Sequence, residues 1–314
     1  MPNFLSTLIN ESANIMNPGS LASLKAAANV IPLPKHPKVM LKASWAPSEP
    51  ALSPKRGLHK ATLIKTTTLV PEIPGKICPV QTYTFRLDGY PSMNVAEQVR
   101  LDCGDTMKLY LQEKDGSNWT FKSYSPTDTS RPGEIDITVK LYPDGQNAKM
   151  LQALQVGQDH IYMAGPWRRK QRLPTSHAYL IAFGIGITEI YPVAKQLVQD
   201  GIPTTILYAN RYREDVCFRS ELDQMAKENP NLFQVKYMYS RETDLSSGNE
   251  FSGRLDSSKV LQQVLGLGRN ADTSGIATPP RFLSIGSKPM MRQAWNCLYD
   301  LGYPRDQYEL LQAL

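Results

Sequence analysis

The chain of 314 residues is 41% hydrophobic and carries a formal net charge of +6 at pH 7, so it is long enough for about two domains with a sizeable core. That charge is mild and no long basic tract accompanies it, so the usual footprint of a nucleic-acid binder is absent and only a slight bias toward acidic partners or anionic cofactors remains. The longest apolar run, AYLIAFGIGI at residues 178–187, is too short to cross a bilayer, and an intracellular chain that is soluble or peripheral to a membrane is expected.

From the N-terminus, residues 1–57 read as a proline-rich extension. A short helix is expected near residues 19–29, and the recurring prolines of IPLPKHPKVMLKASWAPSEPALSP over residues 31–54 rule out a regular helix or central strand there. Such an arm is either a disordered tail or a segment that ties the chain to protein partners. The first 30 residues lack a secretory signal core, and Glu11 without any arginine matches a mitochondrial presequence poorly. A mitochondrial setting therefore rests only on how well an ordered arm would suit a large assembly.

Residues 58–172 carry the short alternating or β-branched runs HKATLIKTTTLV, VQTYTFRLDG, TMKLYLQE, WTFKSYS, EIDITVKLY and QDHIYMAG, punctuated by Gly, Pro, Asp and Asn. That is the pattern of a small antiparallel β-barrel or sandwich, with one helix expected over NAKMLQALQVG and ending at Gly157. Over residues 173–314 the continuous apolar runs AYLIAF, TTILYAN, FQVKYMYS and RFLSIGS alternate with amphipathic helical stretches. Strands buried on both faces and separated by helices imply a doubly wound parallel α/β domain. Cys78, Cys103, Cys217 and Cys297 form no C-x-x-C pair and the four histidines are isolated, so neither a metal site nor a disulfide framework is expected. Asp102 and Asp105 read as a turn, and His177, ahead of a buried strand, as structural.

The stretch YANRYREDVCFRSELDQM, residues 208–225, places Asn210, Arg211, Asp215, Glu221 and Leu222 at a distinctive spacing. It resembles the ferredoxin-reductase superfamily, most closely the cytochrome b5 reductase branch, and the order of barrel and α/β domain over about residues 60–311 is similar too. The resemblance implies FAD in the barrel, NADH or NADPH in the α/β domain, and hydride transfer from nicotinamide to flavin at their junction. It implies that Lys122, Tyr124 and Ser125 of FKSYSPTD stand in for the family's Arg-x-Tyr-Ser/Thr. The lysine would meet the flavin pyrophosphate, the tyrosine the isoalloxazine, and the Ser125 hydroxyl, the catalytic candidate, the flavin nitrogen. Val139, Lys140 and Tyr142 would embrace the flavin, and Ala148, Lys149 and Met150 fall where the family binds pyrophosphate at a helix start. Gly184, Gly186, Thr188, Asn210, Asp215 and Gly286 match nicotinamide-nucleotide positions. Asp215 falls at one associated with disfavouring a 2′-phosphate, so NADH is expected.

Departures from the family pattern are specific. Lys122 keeps a charge but lacks the bidentate fork of arginine, and Asn147 and Ala148 replace two glycines. Phe183 takes a glycine position, Ile185 a small hydroxyl position, and Ile285 a cysteine position. Glu189 adds an anion at the helix start, worth ~0.3–1 kcal/mol to the helix dipole while repelling a diphosphate there. The C-terminal YELLQAL lacks the family's last aromatic, with Tyr308 as a partial replacement. WRRKQRLPTSH, residues 167–177, is shorter than the family's linker. Its Arg168, Arg169, Lys170 and Arg172 read as a solvated linker or as a docking patch for an acidic protein or lipid head group, with barrel closure by a partner chain as an option. Two functions follow: a FAD-dependent NAD(P)H oxidoreductase, weakened at its cofactor contacts and serving an electron-acceptor protein, or a catalytically inactive scaffold subunit of a larger assembly.

Overall fold

The computed structural model describes residues 58–90, 94–112, 119–167, 170–245, 248–268 and 278–313. The expected helix near residues 19–29, the proline-rich arm, and Arg168 and Arg169 lie outside the described residues. The alternating runs form β1 (Leu58–Val70), β2 (Val80–Leu87), β3 (Thr106–Gln112), β4 (Trp119–Tyr124), β5 (Pro126–Asp128), β6 (Glu134–Lys140) and β7 (His160–Trp167). They make one seven-stranded antiparallel sheet in the order β4-β3-β7-β1-β2-β6-β5. The two-residue side-chain period turns Leu63, Phe85, Leu109, Ile137 and Met163 into a common core. Helices α1 (Val95–Val99), capped by the Asn94 side chain, and α2 (Gln146–Gln152) add Val95, Val99, Ala148 and Leu151 to it. Helix α2 stops short of the expected end because Gly157, at φ +78, sits in a turn whose N–H donates to the Leu63 carbonyl of β1.

The chain crosses to the second domain through β8 (Lys170–Arg172). There β9 (Ala178–Phe183), β10 (Thr204–Asn210), β11 (Phe233–Tyr239), β12 (Glu250–Ser252) and β13 (Arg281–Ile285) form a parallel five-stranded sheet in the order β12-β11-β10-β9-β13. Its helices are α3 (Ile187–Gln199), α4 (Arg219–Glu228), α5 (Ser258–Leu265) and α6 (Lys288–Asp300). The continuous apolar runs have a cause: Leu180 and Ile206 face the core under α3, whereas Ile181 and Leu207 face the core under α5 and α6. Val70, Ile77 and Val80 of the barrel join the α3-side core, so an apolar seam unites the domains.

The linker makes its contacts within this chain. Strand β14 (Leu311–Ala313) pairs antiparallel with β8, setting Leu311 opposite Arg172, so the strand partner comes from this chain's own C-terminal segment. Lys170 Nζ lies 2.7 Å from Glu189, and Arg172 pairs with Asp200. These two cations are therefore paired with carboxylates of α3 and its end.

Asp105, 1% exposed, anchors the same linker. Its Oδ1 accepts from the Lys170 N–H at 3.0 Å and its Oδ2 from the Asp102 N–H at 3.2 Å. Burial pushes its carboxyl up from 3.8 to about 6, the two N–H donors and the Lys170 charge only partly opposing it. A carboxyl that holds its proton more tightly when folded stabilises most below its unfolded value, and that contribution is lost as pH rises through about 6. Relative to Asp105→Asn, the unsubstituted chain is expected to lose about 1–2 kcal/mol between about pH 4 and pH 7, the full ~1.4 kcal/mol per unit being discounted for solvent screening. Urea unfolding of both proteins at the two pH values checks this, and a pH-independent difference refutes it.

Candidate functional site

In a parallel sheet the strand carboxyl ends leave a crevice where the chain order changes direction. A cleft of about 960 Å³ opens there, walled on one side by Phe183, Asn210, Ser240 and Gly286 at the ends of β9, β10, β11 and β13. Lys122 and Tyr124 of β4 and Val139 and Lys140 of β6 form the facing wall. The size falls in the range of pockets that enclose small molecules and cofactors, about 300–1,000 Å³.

On the barrel wall Lys122 is exposed, with Nζ 5.8 Å from the centroid of the Tyr124 ring. Burial raises the Tyr124 phenol to about 12, so it stays neutral. Ser125 is buried at the corner between β4 and β5, and Tyr142 is half exposed at the cleft's edge. Ala148, Lys149 and Met150 do not line the cleft. The Ala148 methyl is buried in the barrel core, Met150 packs against that core and Lys149 faces solvent. Helix α2 thus presents an apolar face to the barrel core.

On the α/β wall the glycines divide by role. Gly184 has φ +53 and nothing within 4 Å of where a Cβ would stand, so its backbone is open. At Gly186 an added Cβ would run into the Ile285 carbonyl, and at Gly286 it would lie 2.6 Å from Phe183 Cβ. Both are small because protein packs on them, Phe183 lying across Gly286. Thr188 closes the turn by donating its hydroxyl to the Ile185 carbonyl at 3.0 Å. Asn210 Nδ2 is buried with no acceptor at hydrogen-bonding geometry, its neighbour being the Tyr208 hydroxyl. Tyr308 packs in the α5 and α6 core and bonds the Tyr303 carbonyl, so it does not replace the family's terminal aromatic in the cleft.

Two ion pairs set the charge balance of the cleft. Asp215 does not stand free: its Oδ1 is 2.8 Å from Lys140 Nζ, with side chains 2% and 9% exposed, and the pair stitches the two walls together. Glu189 is paired with Lys170 and presents no uncompensated charge. The lining therefore holds Lys122, Lys140, Arg211 and Arg254 against two carboxylates that are both ion-paired. An electropositive cleft with an open Gly184, an unpartnered Asn210 amide and a neutral Tyr124 ring fits polyanionic, ring-bearing cofactors such as FAD and a nicotinamide dinucleotide. Sequence reasoning missed Thr106, Thr138, Ser240 and Arg254 as lining residues. Position just past a parallel strand was the available signal for Ser240 and Arg254.

Residues 79–170 match the family model of an oxidoreductase FAD-binding domain, and residues 180–294 that of an oxidoreductase NAD-binding domain. Fold and cleft together define a two-domain chain of FAD-binding and NAD-binding oxidoreductase type, similar to the ferredoxin-reductase superfamily. Within it the similarity runs to cytochrome b5 reductases. The chain is 30% identical over 192 residues to NADH-cytochrome b5 reductase 1 of Meyerozyma guilliermondii, covering 59% of this chain and 63% of that protein. It is 27% identical over 201 residues to NADH-cytochrome b5 reductase 2 of Aspergillus clavatus, covering 59% and 60%. The matches thus span less than two thirds of these curated relatives. The cytochrome b5 reductase domain of Ulva prolifera nitrate reductase shares the fold with a TM-score of 0.64 at 22% identity, over 82% of this chain and 97% of that one.

Proposed function

We propose that the chain is a FAD-dependent NAD(P)H oxidoreductase of cytochrome b5 reductase type that passes electrons to an acceptor protein. The observation that carries this reading is a single cleft formed by the FAD-type wall and the NAD-type wall together. When bound, the flavin accepts hydride from the nicotinamide and releases electrons onward. Lys122 supplies a point charge for a pyrophosphate, and the neutral Tyr124 offers a ring face. Ser125, buried beside that ring, has a hydroxyl able to donate or accept one proton. The Lys140 and Asp215 pair holds the walls in register, and Gly184 leaves backbone open to a phosphate.

A second reading, an inactive scaffold, draws on Phe183 lying across Gly286 and on Ala148 sunk into the barrel core. The purified full-length chain decides between them. The oxidoreductase is yellow, releases about one equivalent of FAD on denaturation, and reduces an artificial acceptor with NADH or NADPH. Lys122→Ala is expected to weaken FAD binding about tenfold through loss of a charge-assisted contact. Colourless, inert protein that takes up no added FAD leaves only the scaffold.

A further inference from the structure

We propose that an aromatic face on the outside of the barrel is the docking surface for this chain's own proline-rich segment PSEPALSP, residues 47–54. The outward positions of an antiparallel sheet are ordinarily polar, and β1 follows that rule with the exposed Lys65, Thr66, Thr67 and Thr68. Strands β3, β4 and β7 depart from it. Lys60, Tyr162, Tyr110 and Phe121 stand opposite one another in a row across β1, β7, β3 and β4. Tyr110 alternates with Leu109 and Leu111, which face the core, so the row points outward. The Tyr110 and Phe121 ring centroids are 5.5 Å apart, and those of Trp119 and His160 lie 5.7 and 5.6 Å from that of Tyr162. Toward the other end of the face, Lys108 Nζ lies 3.6 Å from the Trp167 centroid and 5.0 Å from that of Phe121. Phe121 is 51% exposed and Trp167 44%, and β4 is the edge strand of its sheet. An exposed aromatic face at a sheet edge marks a surface that another segment covers.

Chemistry, reach and charge select the occupant, whose residues lie outside the described ones. Proline-rich segments dock on aromatic-lined surfaces because proline fixes φ beforehand and little entropy is lost on binding. The chain enters β1 at Leu58, opposite Ala164, and Ala164 stands opposite Lys108, so the segment joins the sheet at this face. Three strand spacings separate β1 from β4, about 14 Å. Eight residues of polyproline type reach about 25 Å, enough to cross the face with Lys55, Arg56 and Gly57 left for the turn. Glu49 is the one acidic residue between Ile31 and Gly57, and it brings a carboxylate to a face that carries Lys60 and Lys108. A second copy of the chain would offer the same segment in trans, but a short tether holds it beside its own face at an effective concentration on the order of millimolar.

Limited chymotrypsin digestion of the full-length chain, read by mass spectrometry, tests this. Phe121→Ser, a change outside the barrel core, is expected to speed cleavage after Leu52 about tenfold through loss of one aromatic contact. Cleavage after Leu41, outside the docked segment, is the control and is expected to keep its rate. Pro47→Ala with Pro50→Ala is expected to act in the same direction from the segment's side, with the barrel sequence untouched. A Leu52 cleavage rate that neither variant changes overturns the docking. Protection that rises with protein concentration also overturns it and gives the face to a second copy of the chain.

Discussion

Lys140→Met is expected to lower the unfolding free energy by about 3–5 kcal/mol, because it leaves a buried carboxylate without its counter-charge. The Asp215 side chain is 2% exposed, and its strong contact is the ammonium 2.8 Å away; Arg211 at 3.8 Å is half exposed and loosely placed. The double variant Lys140→Met with Asp215→Leu is expected to recover most of the loss, since replacing a buried pair by apolar groups of similar size is often close to neutral. Urea titrations of the single and double variants measure both effects. A single-variant cost below about 1 kcal/mol, the level of an exposed pair, would show that water reaches the pair and that it does not clamp the domains.

Gly186→Ala is the second large effect, an expected loss of about 2–4 kcal/mol from overpacking. Gly186 itself adopts an ordinary right-handed conformation with φ −57, so its requirement is space, and the obstacle to a methyl group is the Ile285 backbone, which has little freedom to move. Gly184, two residues earlier, offers the control. Its φ of +53 costs a side chain about 1 kcal/mol in strain, yet the space beside it is open. Thermal unfolding should rank Gly186→Ala well below Gly184→Ala. The reverse order would mean that backbone conformation outweighs packing in this turn.

The long elements were legible because each carries its own periodicity. HKATLIKTTTLV, VQTYTFRLDG and EIDITVKLY alternate over enough residues to identify β1, β2 and β6, and the unbroken apolar runs identify β9, β10, β11 and β13. Strands β5, β8, β12 and β14 each span three residues, too few to show a period. They exist because a neighbouring strand supplies their hydrogen bonds, as β8 and β14 supply each other's from opposite ends of the second domain.

At the site, local similarity was enough to pick Lys122, Tyr124, Ser125, Lys140, Gly184 and Asn210, all of which line one cleft. Ala148, Lys149 and Met150 lie outside that lining, and a helix start carries no mark of which face will meet the barrel core. The ion pairs of Glu189 and Asp215 were out of reach of local similarity, since their counter-ions Lys170 and Lys140 lie on other elements, Lys140 being 75 residues from Asp215 in the chain.

Element type and domain order were determined by the sequence alone, because side-chain period and turn chemistry act over a few residues and do not depend on what packs above them. Charge and space in the cleft were decided only by tertiary structure. Pairing Asp215 with Lys140, seating Phe183 on Gly286 and leaving Arg211 exposed all require the folded chain to set distant segments side by side, where ionic and steric forces of a few ångströms' range take effect.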